Sequence, residues 1–254
     1  MQCVDLQDLV LAGVHWELDD VPYVERTAAA QRATEQNVDS RATSGRTVPQ
    51  IVPPISPIQP ISPETAAAMA ARPTNISELM RMIAEFNHPL RSGCANVVLP
   101  NIATNPNGLV IVTDIPSSDD DATGNIMSGA AGELVDKMLA AINMSRESVS
   151  IMPMLFWRTP GGRTPTRIEM DFARPFVNRV LEMMAPRVIL TFGTIPAMEI
   201  GNVNLGRAHG QWQDMPNNVK LMPVYHPNYL ILKPSAKRDV WTALQSVQNL
   251  LKTA

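Results

Sequence analysis

The chain has 254 residues, is 45% apolar and carries a formal net charge of −3. That apolar share supports a core and excludes a wholly disordered chain, while the length suits one ordinary domain plus appendages. Its two cysteines, Cys3 and Cys94, exclude a disulfide scaffold and a four-cysteine metal site, and they suit a reducing compartment.

No apolar run reaches the roughly 18 residues of a membrane span. Asp5 and Asp8, with no base before Arg26, do not read as a secretory signal. The expectation is a soluble, cytoplasmic protein that is a monomer and touches no membrane. Charge is uneven: residues 1–40 sum to −6, residues 74–154 to −5 and residues 155–254 to +6. The basic C-terminal stretch keeps nucleic acid open as a partner, because phosphate affinity follows local basic density; a solvated charged surface is the blander reading.

In chain order, residues 1–30 form an acidic arm. A short helix over residues 4–18 is one expectation, with Leu6, Leu9 and Val10 on one face, and a protein partner for this arm is another. Six of the 15 residues from Pro49 to Pro63 are proline, which favours polyproline II over ladder pairing. Residues 31–73 are therefore predicted as a Pro-rich disordered linker, and residues 74–254 as the folded domain.

The domain opens with a helix over 76–86, capped by Thr74 or Ser77. Strands are predicted at 109–113, 149–155, 188–192 and 219–225. Helices are predicted at 130–143, 167–184 and 236–251, from apolar residues at helical spacing. This alternation predicts a three-layer α/β/α sandwich with a central four-stranded parallel sheet. Ligands bind such sheets beyond the carboxyl ends of the strands. Those ends are followed by Asp114-Ile115-Pro116-Ser117-Ser118, by Trp157-Arg158, by Gly193-Thr194 and by His226-Pro227.

Each end has a chemical reading and a plainer one. Asp114 orients water or stabilises a cation, or is an acidic loop residue. Asp119-Asp120-Asp121 holds no spaced partner ligands, so it reads as a solvated loop and no metal site is expected. Ser117 and Ser118 present hydroxyl and N–H groups to an anion. The proline after His226 projects its ring from a strand end, where a neutral imidazole donates to a developing oxyanion; a structural histidine is the alternative. Lys233, Lys237 and Arg238 meet phosphates or cover a helix start. Trp157 is a stacking platform or core, with core preferred.

These segments, in this order, resemble the uracil-DNA glycosylase superfamily, in particular the thermostable bacterial family 4 type. That family reads Gly-Glu-Ala-Pro-Gly, then acids, then Gly-x-Pro-Phe-Val-Gly-x-Ala-Gly. Here the segment is Thr113-Asp114-Ile115-Pro116-Ser117, then Asp119 to Asp121, then Gly124 to Gly132 without a gap. Trp157 to Pro165, Ala185 to Gly193, and His226-Pro227-x-Tyr229-Leu230 with Pro234, Lys237, Arg238 and Trp241 are similar to the later motifs. The resemblance covers residues 74–254.

It implies a DNA repair enzyme that flips uracil, or another deaminated base, out of DNA and hydrolyses its N-glycosidic bond. A catalytically degenerate DNA-binding or interaction module on the same fold is the alternative. The resemblance puts Asp114 at the position of the glutamate that orients water and stabilises the sugar cation. It puts His226 at the histidine that hydrogen-bonds the departing base. Ile115, Met127 and Pro153 fall in the base pocket, with Met127 replacing a stacking phenylalanine and Pro153 an asparagine that reads the uracil edge. Ser117, Ser118, Arg158, Arg163, Gly193, Asn228, Lys233, Lys237 and Arg238 fall where the family faces DNA. The family's four cluster cysteines correspond to His88, Arg91, Trp157 and Ala173, with Cys94 off register, so no iron–sulfur cluster and no other cofactor is expected.

Overall fold

The computed structural model describes residues 62–253. The expectations for residues 1–30, and those for 31–61, lie outside them. Helix α1 (Pro63–Ala70) and α2 (Ile76–Glu85) lead into β1 (Leu109–Thr113). Then follow α3 (Ser118–Thr123), α4 (Gly129–Ala141), β2 (Ser150–Pro153), α5 (Arg167–Met184) and β3 (Val188–Phe192). The chain continues through α6 (Thr194–Gly201), α7 (Leu205–Ala208), β4 (Gln213–Asp214), β5 (Lys220–Val224), α8 (Pro227–Leu232) and α9 (Lys237–Thr253).

The sheet order is β2-β1-β3-β5-β4. The first four strands are parallel, as predicted. The fifth, β4, is a two-residue antiparallel addition on β5, too short to leave a periodic signal in the sequence. Both sheet faces are covered. Val110, Val112, Met152 and Ile189 pack with Ala66, Leu79, Ile83, Phe176 and Val180 of α1, α2 and α5. Their neighbours Leu109, Ile111, Ile151 and Leu190 point the other way, onto Val135, Leu139, Val240, Leu244 and Val247 of α4 and α9. Period-two alternation in doubly buried strands thus divides one apolar run between two helical layers, which makes the domain an α/β/α sandwich.

The linker expectation is corrected over its last residues. Ser62 accepts a hydrogen bond from the Thr65 N–H, and Pro63 takes the first helical position, where its missing N–H costs nothing. Ala66 and Ala70 are then buried against α5. Proline here starts a helix instead of extending the spacer. Two smaller corrections concern caps and acids. Asn75, not Thr74 or Ser77, caps α2 by accepting from Glu78 N–H at 2.9 Å. The Asp119–Asp121 stretch is not a loop but lies in α3, closed by a Ser117/Asp120 capping box. Among the described residues no helix is long and apolar enough to cross a membrane.

Candidate active site

Strand register builds the site. Thr113 pairs with both Pro153 and Phe192, and Phe192 pairs with Val224, so four strands end in one row. The residues just beyond that row, Asp114, Gly193 and His226, are thereby gathered on the carboxyl edge of the sheet. A cavity of about 370 Å³ opens there. Asp114, Ile115, Ser117, Ser118, Met127, Arg158, His226 and Asn228 line it, together with Thr113, Pro116, Asp120, Ser128, Ala131 and Gly162.

Asp114 is half-buried, and burial pushes its carboxyl up to about 6 against the opposing effect of a hydrogen bond from the Ile195 N–H. That bond, 3.1 Å to Oδ1, ties the carboxylate to the first turn of α6. Gly193 lies directly beneath: a Cβ on it would run into the Asp114 carboxylate, and its φ of +104° suits only glycine.

His226 caps α8. Its Nδ1 accepts the Asn228 N–H at 3.1 Å, so the proton of the neutral ring sits on Nε2. Nε2 lies 3.1 Å from Thr113 Oγ1. Burial lowers the pKa of His226 to about 4, with Asp120 opposing that shift, so the ring is neutral at physiological pH.

Asp120 is 5% exposed and clamps two walls of the cavity. One oxygen accepts the Ser117 N–H at 2.9 Å and the other the Ser128 N–H at 2.6 Å. Met127 sits between, buried, in a left-handed turn at φ +53°. Arg146 holds that turn by donating to the Ile126 carbonyl at 2.9 Å and the Met127 carbonyl at 2.7 Å. Gly132 allows the Met127 carbonyl its close approach, since a Cβ there would collide with it.

Several residues predicted for the site lie away from this cavity. Pro153 is buried as the last residue of β2 and does not line it. Arg163 forms a two-pronged pair with Glu169, Nη2 to Oε1 at 2.6 Å and Nη1 to Oε2 at 2.9 Å. It therefore fastens the 157–166 loop to α5, and with the Thr166 bonds it holds the Glu169 carboxyl down to about 2. Gly193 contributes by its closeness to Asp114. Lys233, Lys237 and Arg238 are exposed between α8 and the start of α9, outside the cavity. Conversely, Thr113, Asp120 and Ser128 line the site without having been singled out for it. The Ser117-x-x-Asp120 spacing carried the capping signal.

Two of the four positions that the resemblance assigns to cluster ligands, His88 and Trp157, lie in a packed aromatic core with Phe86, Phe156 and Phe172. Trp157 is fully buried, as preferred from sequence, and stacks on His88 with centroids 4.2 Å apart and planes within 2°. Both His88 ring nitrogens are engaged, by the Glu169 carbonyl at 3.0 Å and the Leu90 N–H at 3.1 Å. Ala173 is buried, and Cys94 Sγ bonds the Arg91 carbonyl at 3.4 Å. These groups do not offer the thiolate set that holds an iron–sulfur cluster.

A family model described as the Uracil DNA glycosylase superfamily matches residues 101–247. The chain is 29% identical over 161 residues to the type-4 uracil-DNA glycosylase of Archaeoglobus fulgidus, spanning 60% of this chain and 81% of that protein. It is 28% identical over 187 residues to the type-4 uracil-DNA glycosylase of Thermotoga maritima, spanning 69% of this chain and 96% of the relative. The Pyrobaculum aerophilum type-4 uracil-DNA glycosylase is 28% identical over 142 residues, 52% of this chain and 72% of its own length. The matched segment runs from before β1 into α9 and contains every residue lining the cavity, so the chain belongs to the uracil DNA glycosylase superfamily.

Proposed function

We propose that the chain is a DNA repair enzyme that hydrolyses the N-glycosidic bond of uracil flipped out of DNA. The observation that carries this reading is one cavity edged by both a carboxylate with a raised pKa and a histidine held neutral. In this mechanism the C1′–N1 bond breaks and its electron pair leaves with the base. The Asp114 carboxylate stabilises the cationic sugar and orients the water that adds to C1′, taking up that water's proton. The neutral His226 side of the cavity supplies hydrogen-bond donation to the base as it becomes an anion.

Ile115 and Met127 wall the base pocket, with Met127 packing on the ring face. Ser117, Ser118, Arg158 and Asn228 face the sugar-phosphate at the cavity mouth. Lys233, Lys237 and Arg238 contact phosphates farther out. Leu232, 84% exposed beside Lys233, supplies an apolar group to fill the space left by the flipped base. The aromatic packing around His88 and Trp157 supports an enzyme that works without a cluster. The domain acts as a cytoplasmic monomer, and residues 1–30 serve a protein partner.

The purified chain should release uracil from a single-stranded uracil oligonucleotide, with His226→Ala removing most of that release. Absence of release from uracil- and hypoxanthine-containing strands alike contradicts the reading.

A further inference from the structure

Thr113 and His226 both line the cavity, and the Thr113 hydroxyl meets the His226 ring. Thr113 is the last residue of β1, 2% exposed, and its side chain borders the cavity. The Asn228 N–H occupies His226 Nδ1, so the single ring proton lies on Nε2 and points at Thr113 Oγ1, 3.1 Å away. The threonine oxygen therefore accepts. Its own O–H is left to donate, and among the described residues no acceptor is bonded to it. A β-branched side chain at a buried strand end has few rotamers, so the hydroxyl is held in place.

The geometry points to Thr113 Oγ1–H as the donor presented to the carbonyl oxygen of the departing base, with His226 acting through it. This rests on the glycosylase reading and names the atom that carries out one of its steps. The chain runs Nε2–H to Oγ1, then Oγ1–H to the base oxygen. Each bond polarises the next as negative charge builds on the base. No proton leaves Thr113: the pair from the broken C1′–N1 bond resides on the base, and the hydroxyl only donates a hydrogen bond to it. His226 is then a positioning residue that fixes and polarises the hydroxyl, while Thr113 touches the reacting base.

Thr113→Val keeps the shape and removes the hydroxyl, and Thr113→Ser keeps the hydroxyl. The full chain and both variants are compared by single-turnover uracil release, by melting temperature, and by the proton resonance of His226 Nε2–H during titration with free uracil. Thr113→Val is expected to lower the cleavage rate by about 10²-fold with substrate affinity little changed, as for loss of one oxyanion donor. Thr113→Ser is expected to keep most of the rate. Uracil is expected to shift the Nε2–H resonance in the wild type and in Thr113→Ser but not in Thr113→Val. A folded Thr113→Val with the wild-type rate overturns the proposal. So does an Nε2–H resonance that responds to uracil equally in all three proteins. A wild-type chain that releases no base refutes the glycosylase reading instead, and the resonance still reports on the hydroxyl.

Discussion

The Ile195 N–H donates to Asp114 Oδ1 at 3.1 Å, joining the loop after β1 to the first turn of α6. This bond orients the carboxylate, and burial works against its charge. The pKa of about 6 that results lies close to the pH at which a general base is most useful.

Activity should therefore rise with pH on a limb centred near 6, as Asp114 ionises. His226, neutral above about 4, should add no second limb between pH 5 and 8. A pH profile of single-turnover base release checks this. A limb that persists in Asp114→Asn would assign it to another group.

The raised pKa also sets a stability cost. The folded state holds the Asp114 proton more tightly than the unfolded chain, whose ordinary value is 3.8. The stability associated with this group is present below about 4 and is lost as pH rises through 6. Asp114→Asn should abolish most activity yet stabilise the fold at neutral pH by up to about 3 kcal/mol, which raises the melting temperature. The gain should disappear near pH 4. Melting curves at the two pH values measure the difference.

Gly193 leaves room for that carboxylate. Gly193→Ala would place a methyl group against Asp114 and impose strain at φ +104°. The variant should lose base release by more than tenfold, since a displacement of about 1 Å of a catalytic group is enough. Circular dichroism should show the fold retained.

Asp120 ties Ser117 and Ser128 across the cavity. Asp120→Ala leaves two N–H groups without their acceptor and should cost about 2–4 kcal/mol. Urea unfolding checks the loss, and the cavity walls should loosen with it. Asp120→Asn, which keeps one acceptor, should lose less.

Much of the fold was legible because local signals agreed. Helix α5 begins and ends where predicted, since Thr166 and Glu169 form a capping box ahead of a periodic apolar face. Strand β3 was readable as Val188-Ile189-Leu190-Thr191-Phe192, an apolar run that both helical layers bury. Helix α1 was not legible, because Pro63 closes a proline-rich run and only its burial against α5 distinguishes a helix start from a spacer. The site was legible as strand ends: Asp114 and His226 follow β1 and β5. The Thr113–His226 contact was not, since 113 positions separate the pair and only the sheet register brings them together. Arg163 was placed toward DNA by the resemblance, and its pairing with Glu169 was not legible, because sequence shows the charge and hides the partner.

The most direct test is uracil release by the full chain from a single-stranded uracil oligonucleotide, followed alongside Asp114→Asn at neutral pH. Stoichiometric free uracil and an abasic strand are expected from the wild type, and little of either from Asp114→Asn. A folded wild-type chain that binds the strand and releases no base, or an Asp114→Asn variant that releases it at the wild-type rate, would contradict the account.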